Sequence, residues 1–224
     1  MSARSCWPLV ADWLPRLAGA SLADRVRAGL AAIAGIALAA LASGLVPFGT
    51  GAALRLVAPI GASAVLVFAV PASPLAQPWA VLGGNMISAV VGMVAAALVP
   101  VPAVAAGVAV GGAIIVMSLL RCLHPPGGAV ALTAVLGTPL LAAAGPWFPL
   151  VPVGLNSLAL LLAAWAWHRV SGHSYPHQPS AAVAPMFHRD DIDKALTEMG
   201  DSFDVAPEDL DALLNRAEAH ARAR

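Results

Sequence analysis

The hydrophobic residues of this chain come in long runs that are interrupted by proline and glycine rather than by charged residues. A helix needs about 20 mostly apolar residues to cross a bilayer, and six segments approach that length. Turns rich in proline and glycine separate them. The pattern predicts apolar segments at residues 26–46, 54–70, 79–99, 103–120, 127–143 and 149–168.

The two ends of the chain are more polar than this membrane domain at 26–170. Residues 1–25 are expected to lie in the cytoplasm or at the membrane interface. Residues 171–189 are polar and rich in proline, which is typical of a linker. Residues 190–224 contain two short amphipathic patterns, so they predict a cytoplasmic helical tail. The expected fold is an all-α membrane protein with this tail appended.

The chain has 224 residues, of which 59% are hydrophobic and 11% are charged. A water-soluble domain is expected to have about 25% charged residues. The composition therefore excludes a free-standing soluble enzyme. The lipid bilayer is the first expected partner, and no nucleic-acid partner is expected.

The charged residues are segregated along the chain, although Lys plus Arg and Asp plus Glu balance at twelve each. Ten of the twelve acidic residues lie between Asp190 and Glu218, and none lies between Arg25 and Arg189. The membrane domain is therefore cationic, which argues against cation conduction and against a proton relay of carboxylates. Any charged substrate is expected to be an anion.

The arginines at the two borders of the membrane domain predict its orientation. Arg25 and Arg27 precede the first apolar segment, and Arg169 follows the last one. The positive-inside rule places both borders in the cytoplasm. We therefore expect a multi-pass protein of the cell inner (plasma) membrane with both termini cytoplasmic. Stripes of small residues in the spans also allow a homo-oligomer.

The first half of the membrane domain resembles the second half. Residues 59–66 align with residues 126–133, and the scarce residue Asn85 aligns with Asn156 farther on. Bias toward small and apolar residues is the alternative explanation. If the match is a repeat, each half holds three segments, and the second half enters the membrane in the opposite direction, as in many secondary transporters. The two inverted repeats lie at about 26–99 and 103–169.

The aligned Pro-x-Gly-Ala motifs predict helix breaks inside the membrane. A helix from residue 59 to 70 extends about 18 Å, too short to cross roughly 30 Å of hydrocarbon. Half-helices that begin there would present unpaired backbone N–H groups, and such helix N-termini bind anions. The predicted binding residues are Pro59, Gly61, Ala62 and Ser63 in one repeat and Pro125, Pro126, Gly127, Gly128 and Ala129 in the other.

Two arginines, Arg55 and Arg121, lie shortly before the two motifs. A charged side chain at a span centre costs roughly 2.5–3.5 kcal/mol, so neither is expected to face lipid. Each could instead extend to its own interface. Their symmetric placement favours a second interpretation, in which they form electropositive vestibules that attract anions.

His124 is the histidine inside the apolar body, and two prolines follow it directly. Its imidazole would donate a hydrogen bond to an anion or carry the proton of a proton–anion symport. The structural alternative is a neutral imidazole that caps a carbonyl freed by the prolines. No second His, Cys or carboxylate lies at ligand spacing, so neither a metal nor another cofactor is expected.

Asn85 and Asn156 occupy equivalent places in the third and sixth segments. Amide side chains in a span usually form hydrogen bonds with a neighbouring helix. The second interpretation is that they line the path of the substrate, so both residues are included among the candidate binding residues.

Three long strings of this sequence resemble the HPP family of integral membrane proteins. They are PIGASAVLVFAVPASPLAQPWAVLGGN at 59–85, LRCLHPPGGAVALTAVLG at 120–137 and LNSLALLLAAWAWHRVSGHSYPH at 155–177. Family members in plastids and cyanobacteria are associated with nitrite transport. The resemblance therefore implies that nitrite, or another small monovalent anion, is the substrate.

Together these observations favour a membrane transporter or channel for a small inorganic anion, with nitrite as the best candidate and with or without coupled protons. The alternative is a non-transporting membrane scaffold or sensor whose cytoplasmic tail docks a partner. An intramembrane enzyme is disfavoured, because the sequence alone reveals no pair of nucleophile and base.

Overall fold

The computed structural model describes residues 21–46, 56–178, 189–199 and 204–222. Within these ranges every regular element is helical, which confirms the predicted all-α class. Arg55, most of the segment at 1–25 and part of the linker at 171–189 lie outside the described residues.

Helices of unequal length make up the membrane domain. Proline occupies the first turn of several of them, where its missing N–H costs no hydrogen bond. A 3₁₀ turn at Pro74–Ala76 and a π-helical turn at Pro149–Gly154 connect them. The helices are α1 (Leu22–Gly44), α2 (Ile60–Ala69), α3 (Pro78–Leu98), α4 (Pro102–Leu119), α5 (Pro125–Leu136), α6 (Pro139–Ala144) and α7 (Leu155–Ser171).

Four candidate spans are long and apolar enough to cross a membrane, namely α1, α3, α4 and the continuous stretch Pro149–Ser171. A fifth candidate combines α5 with the segment Pro139–Trp147, but a bend of 78° separates the two parts. α2 has only 10 residues. The described residues therefore contain four or five candidate spans, whereas the sequence predicted six apolar segments. The number is smaller because α2 begins only after Pro59 and α5 ends before Gly137, so that neither helix is long enough to span the membrane by itself.

α1 and α7 run antiparallel and define the two ends of the bundle. The Asn156 side chain, at the start of α7, donates a hydrogen bond to the Ser43 hydroxyl, near the end of α1. At the other end, His168 of α7 lines the same cavity as Arg25 of α1. We call this second end of the bundle the Arg25 end.

The segment after α7 folds back over the start of α3. The Tyr175 hydroxyl donates to the Ala76 carbonyl (2.8 Å), and the His177 N–H donates to the Gln77 side chain (3.0 Å). Burial raises the pKa of Tyr175, so its hydroxyl stays protonated and keeps this bond. These contacts place the start of α3 at the Arg25 end.

The short helices α2 and α5 run in opposite directions. The His168 side chain donates to the Val67 carbonyl (2.9 Å), so the C-terminal end of α2 points to the Arg25 end. α5 instead runs parallel to α3 and away from the Arg25 end. A Cβ atom added to Gly84 of α3 would lie 2.6 Å from the Cβ of His124, and one added to Gly92 would lie 2.8 Å from the Cα of Ala131.

The outward faces of the long helices are apolar, as expected for contact with lipid. On α1 the side chains on one face are more than half exposed, and none of them is polar: Leu30, Ile33, Leu38 and Leu41. The opposite face of α1 is buried through small residues, which lets the neighbouring helices approach closely. These small residues are Ala31, Gly35 and Ala39.

The predicted helical tail is confirmed as α8 (Arg189–Met199) and α9 (Pro207–Arg222). The tail contacts the membrane domain near the start of α3. The Asp209 carboxylate lies 2.9 Å from the His177 imidazole, and the Ser73 hydroxyl donates to Asp204 (2.8 Å). The acidic tail therefore packs against the Arg25 end of its own chain.

Gly92→Ala is expected to destabilise the protein, because the new methyl group would press on the backbone of α5 at Ala131. Overpacking of this kind costs about 1–3 kcal/mol. Gly107→Ala in α4 is the matched control, since nothing lies within 4 Å of its added Cβ. Alanine there should stabilise the helix by up to about 1 kcal/mol. Thermal unfolding in detergent measures both variants, and an equal response would contradict the close packing of α3 against α5.

Candidate functional site

A chain of hydrogen bonds between buried side chains lies where α2 and α5 meet. The Ser63 hydroxyl is 2.8 Å from Nε2 of His124, and the Asn85 amide nitrogen is 3.2 Å from Ser63 and 3.1 Å from Ser157. All four side chains are at most 1% exposed. We call Ser63, Asn85, His124 and Ser157 the polar cluster.

The carbonyl oxygen of Leu75 determines the direction of these hydrogen bonds. It lies 2.8 Å from Nδ1 of His124 and can only accept, so Nδ1 carries a proton. In a neutral imidazole Nε2 is then an acceptor, and the Ser63 hydroxyl donates to it. The Ser63 oxygen in turn accepts from the amide nitrogen of Asn85.

One acceptor in the polar cluster has no partner among the described residues, namely Oδ1 of Asn85. A buried polar atom left unpaired costs about 1–3 kcal/mol. A water molecule or a ligand with a hydrogen-bond donor would remove this cost. The unpaired oxygen therefore marks the position at which a small polar species would bind in the cluster.

Local sequence explains how His124 reaches this position. Its backbone is extended (φ −139°, ψ 106°), because the following proline disfavours the helical region. The two prolines remove two backbone donors at the start of α5, and the next free N–H, of Gly127, donates to the His124 carbonyl (2.8 Å). Gly84 has no side chain, so the His124 segment can pack directly on α3.

Asn156 belongs to a neighbouring polar group rather than to the polar cluster. Its side-chain oxygen accepts from the backbone N–H of Val57 (2.9 Å), and its nitrogen donates to the Ser43 hydroxyl. It thus connects α1, the segment before α2, and α7. Of its two interpretations from sequence, hydrogen bonding between neighbouring helices is the one observed.

The prediction of unpaired backbone N–H groups at the start of α2 was wrong. The N–H of Gly61 donates to Ala58, and those of Ala62 and Ser63 donate to Pro59, at 3.1–3.2 Å. The chain forms a tight turn before α2, and the carbonyls of this turn satisfy the first donors of the helix. These groups are therefore not free to bind an anion, and the side chains of the polar cluster take their place as candidate ligands.

The remaining predicted residues divide between the core and the surface. Gly127 is buried against Ser88 and Met117, whose side-chain atoms would lie 2.6 and 2.9 Å from an added Cβ. Buried with it are Pro59 and Pro126, whereas Gly128 is half-buried. The surface-exposed members of the predicted set are Gly61, Ala62, Pro125 and Ala129.

Arg121 is exposed at the Arg25 end, where it terminates α4. Its φ of 54° is left-handed, a conformation that favours glycine. The N–H groups of Arg121 and Cys122 donate to the carbonyls of Ser118 and Met117, the pattern of a Schellman motif. An arginine is also favourable near a helix C-terminus because of the helix dipole. The structure thus gives Arg121 a capping role.

Sequence reasoning missed Ser157 and the Leu75 carbonyl, and it found no nucleophile next to a base. The structure brings Ser63 and His124 together although 61 positions separate them. The available signal was the scarcity of polar side chains in the apolar segments, which also singles out Ser88 and Ser157. Within the described residues no group of three potential metal ligands occurs.

The sequence profile described as HPP, transmembrane region, matches residues 18–176, which is more than half of the chain. This chain belongs to the HPP family. The prediction that rested on the three sequence strings is confirmed, and the match includes the polar cluster and the helices that form it.

Two proteins of Dictyostelium discoideum, each described as a transmembrane protein, are similar to this HPP protein. One is 43% identical over 113 residues, which cover 49% of this chain and 39% of the relative. The other is 44% identical over 107 residues, which cover 46% and 34%. The chain thus spans less than half the length of these relatives. No solved structure gives a significant match.

Ser63→Ala is expected to lower the free energy of unfolding by about 1–3 kcal/mol, because it leaves buried groups of His124 and Asn85 without a partner. Ser118→Ala is the matched control, since the Ser118 hydroxyl donates to Ile114 within its own exposed helical turn (2.7 Å). That change should cost less than about 0.5 kcal/mol. Unfolding midpoints in detergent test both, and a wild-type midpoint for Ser63→Ala would contradict the contact.

Proposed function

We propose that this HPP protein is a transporter of a small monovalent anion in the cell inner (plasma) membrane, and that a proton moves with the anion. The observation that carries the proposal is the polar cluster, which is fully buried and retains one unpaired acceptor on Asn85. Nitrite is the best substrate candidate, because other HPP proteins are associated with nitrite transport. The Arg25 end and both termini are cytoplasmic in this proposal.

We also propose that the membrane domain consists of two inverted repeats, at about 26–99 and 103–169. Equivalent helices have equivalent neighbours: α1 packs on α2 and α7, and α4 packs on α5 and α3. Each short helix also packs on the last long helix of the other half. The polar cluster then lies where the two halves meet, which is the usual position of a substrate site in such transporters.

Protonation of His124 would reverse the hydrogen bonds of the cluster. With Nδ1 held by Leu75, a proton added at Nε2 makes this atom a donor to the Ser63 oxygen. The Ser63 hydroxyl then donates to the oxygen of Asn85, which comes next to it when the Asn85 amide rotates. The amide nitrogen of Asn85 takes the unpaired position and offers its N–H groups to an anion.

The lack of acidic residues couples the proton to the anion. No carboxylate occurs between Arg25 and Arg189, so no residue of that range can neutralise a charged His124. A buried charge without a partner is unfavourable by several kcal/mol. A bound anion supplies the missing opposite charge, so that each of the two species stabilises the binding of the other.

Coupling also solves the energetic problem of anion uptake. An anion that enters the cell alone works against about 2.3 kcal/mol per 100 mV of membrane potential. One proton carried with one anion makes the transport step electroneutral. We therefore expect uptake to follow the pH gradient and to be insensitive to the membrane potential.

A membrane scaffold or sensor is the second candidate function. On the tail, Met199 and Leu213 are 60% and 63% exposed, which would suit contact with a partner. This function predicts no flux of any anion. The pair of Ser63 and His124 also has the composition of a nucleophile and its base, but the backbone carbonyl of Leu75 holds Nδ1 of His124, where a hydrolytic triad has a carboxylate.

In proteoliposomes, His124→Asn is expected to reduce proton-driven nitrite uptake by at least about tenfold. The asparagine amide can still donate to Leu75, but it cannot take up a proton, so a charge-assisted hydrogen bond worth roughly 1.5–3 kcal/mol is lost. The dependence of uptake on the pH gradient should disappear with it. His220→Asn, at an exposed position of α9, is the control and should behave like the wild type.

Protein-free liposomes give the background from nitrous acid that crosses lipid unaided, and nitrate, formate and chloride test the selectivity. A potassium diffusion potential tests electroneutrality. Absence of flux for every anion would refute the transporter and leave the scaffold. Flux that does not depend on pH, and that persists in His124→Asn, would refute the proton coupling alone.

Arg121→Gly is expected to stabilise the protein by up to about 1 kcal/mol, because glycine adopts the left-handed conformation of this position without strain. If Arg121 also attracts anions to a vestibule, nitrite uptake should fall, most clearly at low ionic strength. Unfolding midpoints and uptake rates at two salt concentrations separate these effects. Unchanged uptake would leave Arg121 with its capping role alone.

A further inference from the structure

A cavity of about 760 Å³ opens at the Arg25 end, among α1, α2 and α7. The charged and polar residues that line the cavity are Asp24, Arg25, Arg27, His168, Ser171 and His173. Arg27 is within 3.5 Å of Asp24, so this pair is close to neutral and Arg25 leaves a net positive charge. The other lining residues are mainly apolar and include Val65, Phe68 and Trp167.

The size and the walls of the cavity do not suit a small inorganic anion. A triatomic anion needs only a few times the roughly 30 Å³ that a water molecule takes up in the liquid. Apolar walls such as those formed by Val65, Phe68 and Val170 would give a hydrated ion no hydrogen bonds. A cationic rim above an apolar interior is instead complementary to an amphiphile with a negatively charged head group.

His168 supplies an independent indication of a ligand. Its side chain is 3% exposed, and its Nε2 donates to the Val67 carbonyl, but its Nδ1 has no partner among the described residues. In a neutral ring this atom accepts a hydrogen bond, and in a protonated ring it donates one. A head group that carries both a hydroxyl and a phosphate can satisfy either form.

We propose that this cavity binds the head group of an anionic phospholipid, with the phosphate near Arg25, Arg27 and His173 and with the acyl chains along Val65 and Phe68. Basic pockets between transmembrane helices bind anionic lipid head groups in this way. The site does not depend on the proposed transport function, because no member of the polar cluster lines the cavity. Free phosphate shares the chemistry of the head group, so the test must separate these two sources.

Native mass spectrometry of the full chain in detergent tests the proposal, with separate titrations of phosphatidylglycerol, phosphatidylcholine and inorganic phosphate. Phosphatidylglycerol should bind more tightly than the other two. The double variant Arg25→Gln, Arg27→Gln should weaken its binding by about fivefold for each arginine removed. Arg169→Gln is the matched control, since Arg169 lies at the same end but stacks on Trp165 outside the cavity, and it should change binding by less than twofold.

A second variant distinguishes binding in the cavity from a general attraction of anionic lipids to a basic surface. Gly29 lines the cavity with nothing within 4 Å of an added Cβ, so Gly29→Phe fills the space without changing any charge. It should abolish tight binding of phosphatidylglycerol. Equal binding of the two lipids, undiminished binding in Gly29→Phe, or phosphate binding as tight as that of phosphatidylglycerol would each overturn the proposal.

Discussion

The hydrogen bond between the Ser63 hydroxyl and the His124 imidazole is the contact on which the centre of this protein depends. It joins two short helices that begin inside the apolar domain and run in opposite directions. Helices that start in such a place bring backbone donors and polar side chains out of reach of water, where each unpaired group is costly. The structure must therefore satisfy these groups internally, and it does so in a different way for each helix.

For α2, a tight turn and the Asn156 side chain satisfy the backbone groups around Pro59. For α5, two prolines remove donors, and the Leu75 carbonyl fixes one nitrogen of His124. Once these demands are met, the polar cluster keeps one acceptor, Oδ1 of Asn85, that has no partner among the described residues. The candidate site is thus a group of buried side chains whose hydrogen bonds lead to one imidazole, within a domain that contains no acidic residue.

Local sequence features predicted the parts of this arrangement that depend on nearby residues. The helix starts at the two proline motifs and the helical tail follow from spacing. The rarity of polar residues in apolar segments singled out Ser63, Asn85 and His124, which the structure brings together. The lengths of the central helices were predicted less accurately from the sequence. The break at Gly137, which has a φ of 69°, divides a predicted segment into two helices at a sharp angle.

The pairing of side chains could not be predicted, because it depends on how helices cross. Ser63 and Ser157 both meet Asn85, yet they come from α2 and α7, and nothing local specifies this contact. The expectation of free amides at Pro59 failed for a related reason. A helix start alone leaves donors unpaired, but whether a preceding turn supplies carbonyls depends on the backbone path. The same applies to His168, whose unpaired nitrogen becomes evident only beside the cavity.

The protonation state of His124 tests the account most directly, and nitrogen NMR of the isotopically labelled protein in lipid bilayers measures it. The account predicts a neutral ring with the proton on Nδ1 near neutral pH. On acidification in the presence of nitrite, a second proton should appear on Nε2 while the amide signal of Asn85 shifts. A ring that carries its neutral-state proton on Nε2, or an Asn85 signal that is indifferent to the protonation of His124, would contradict it.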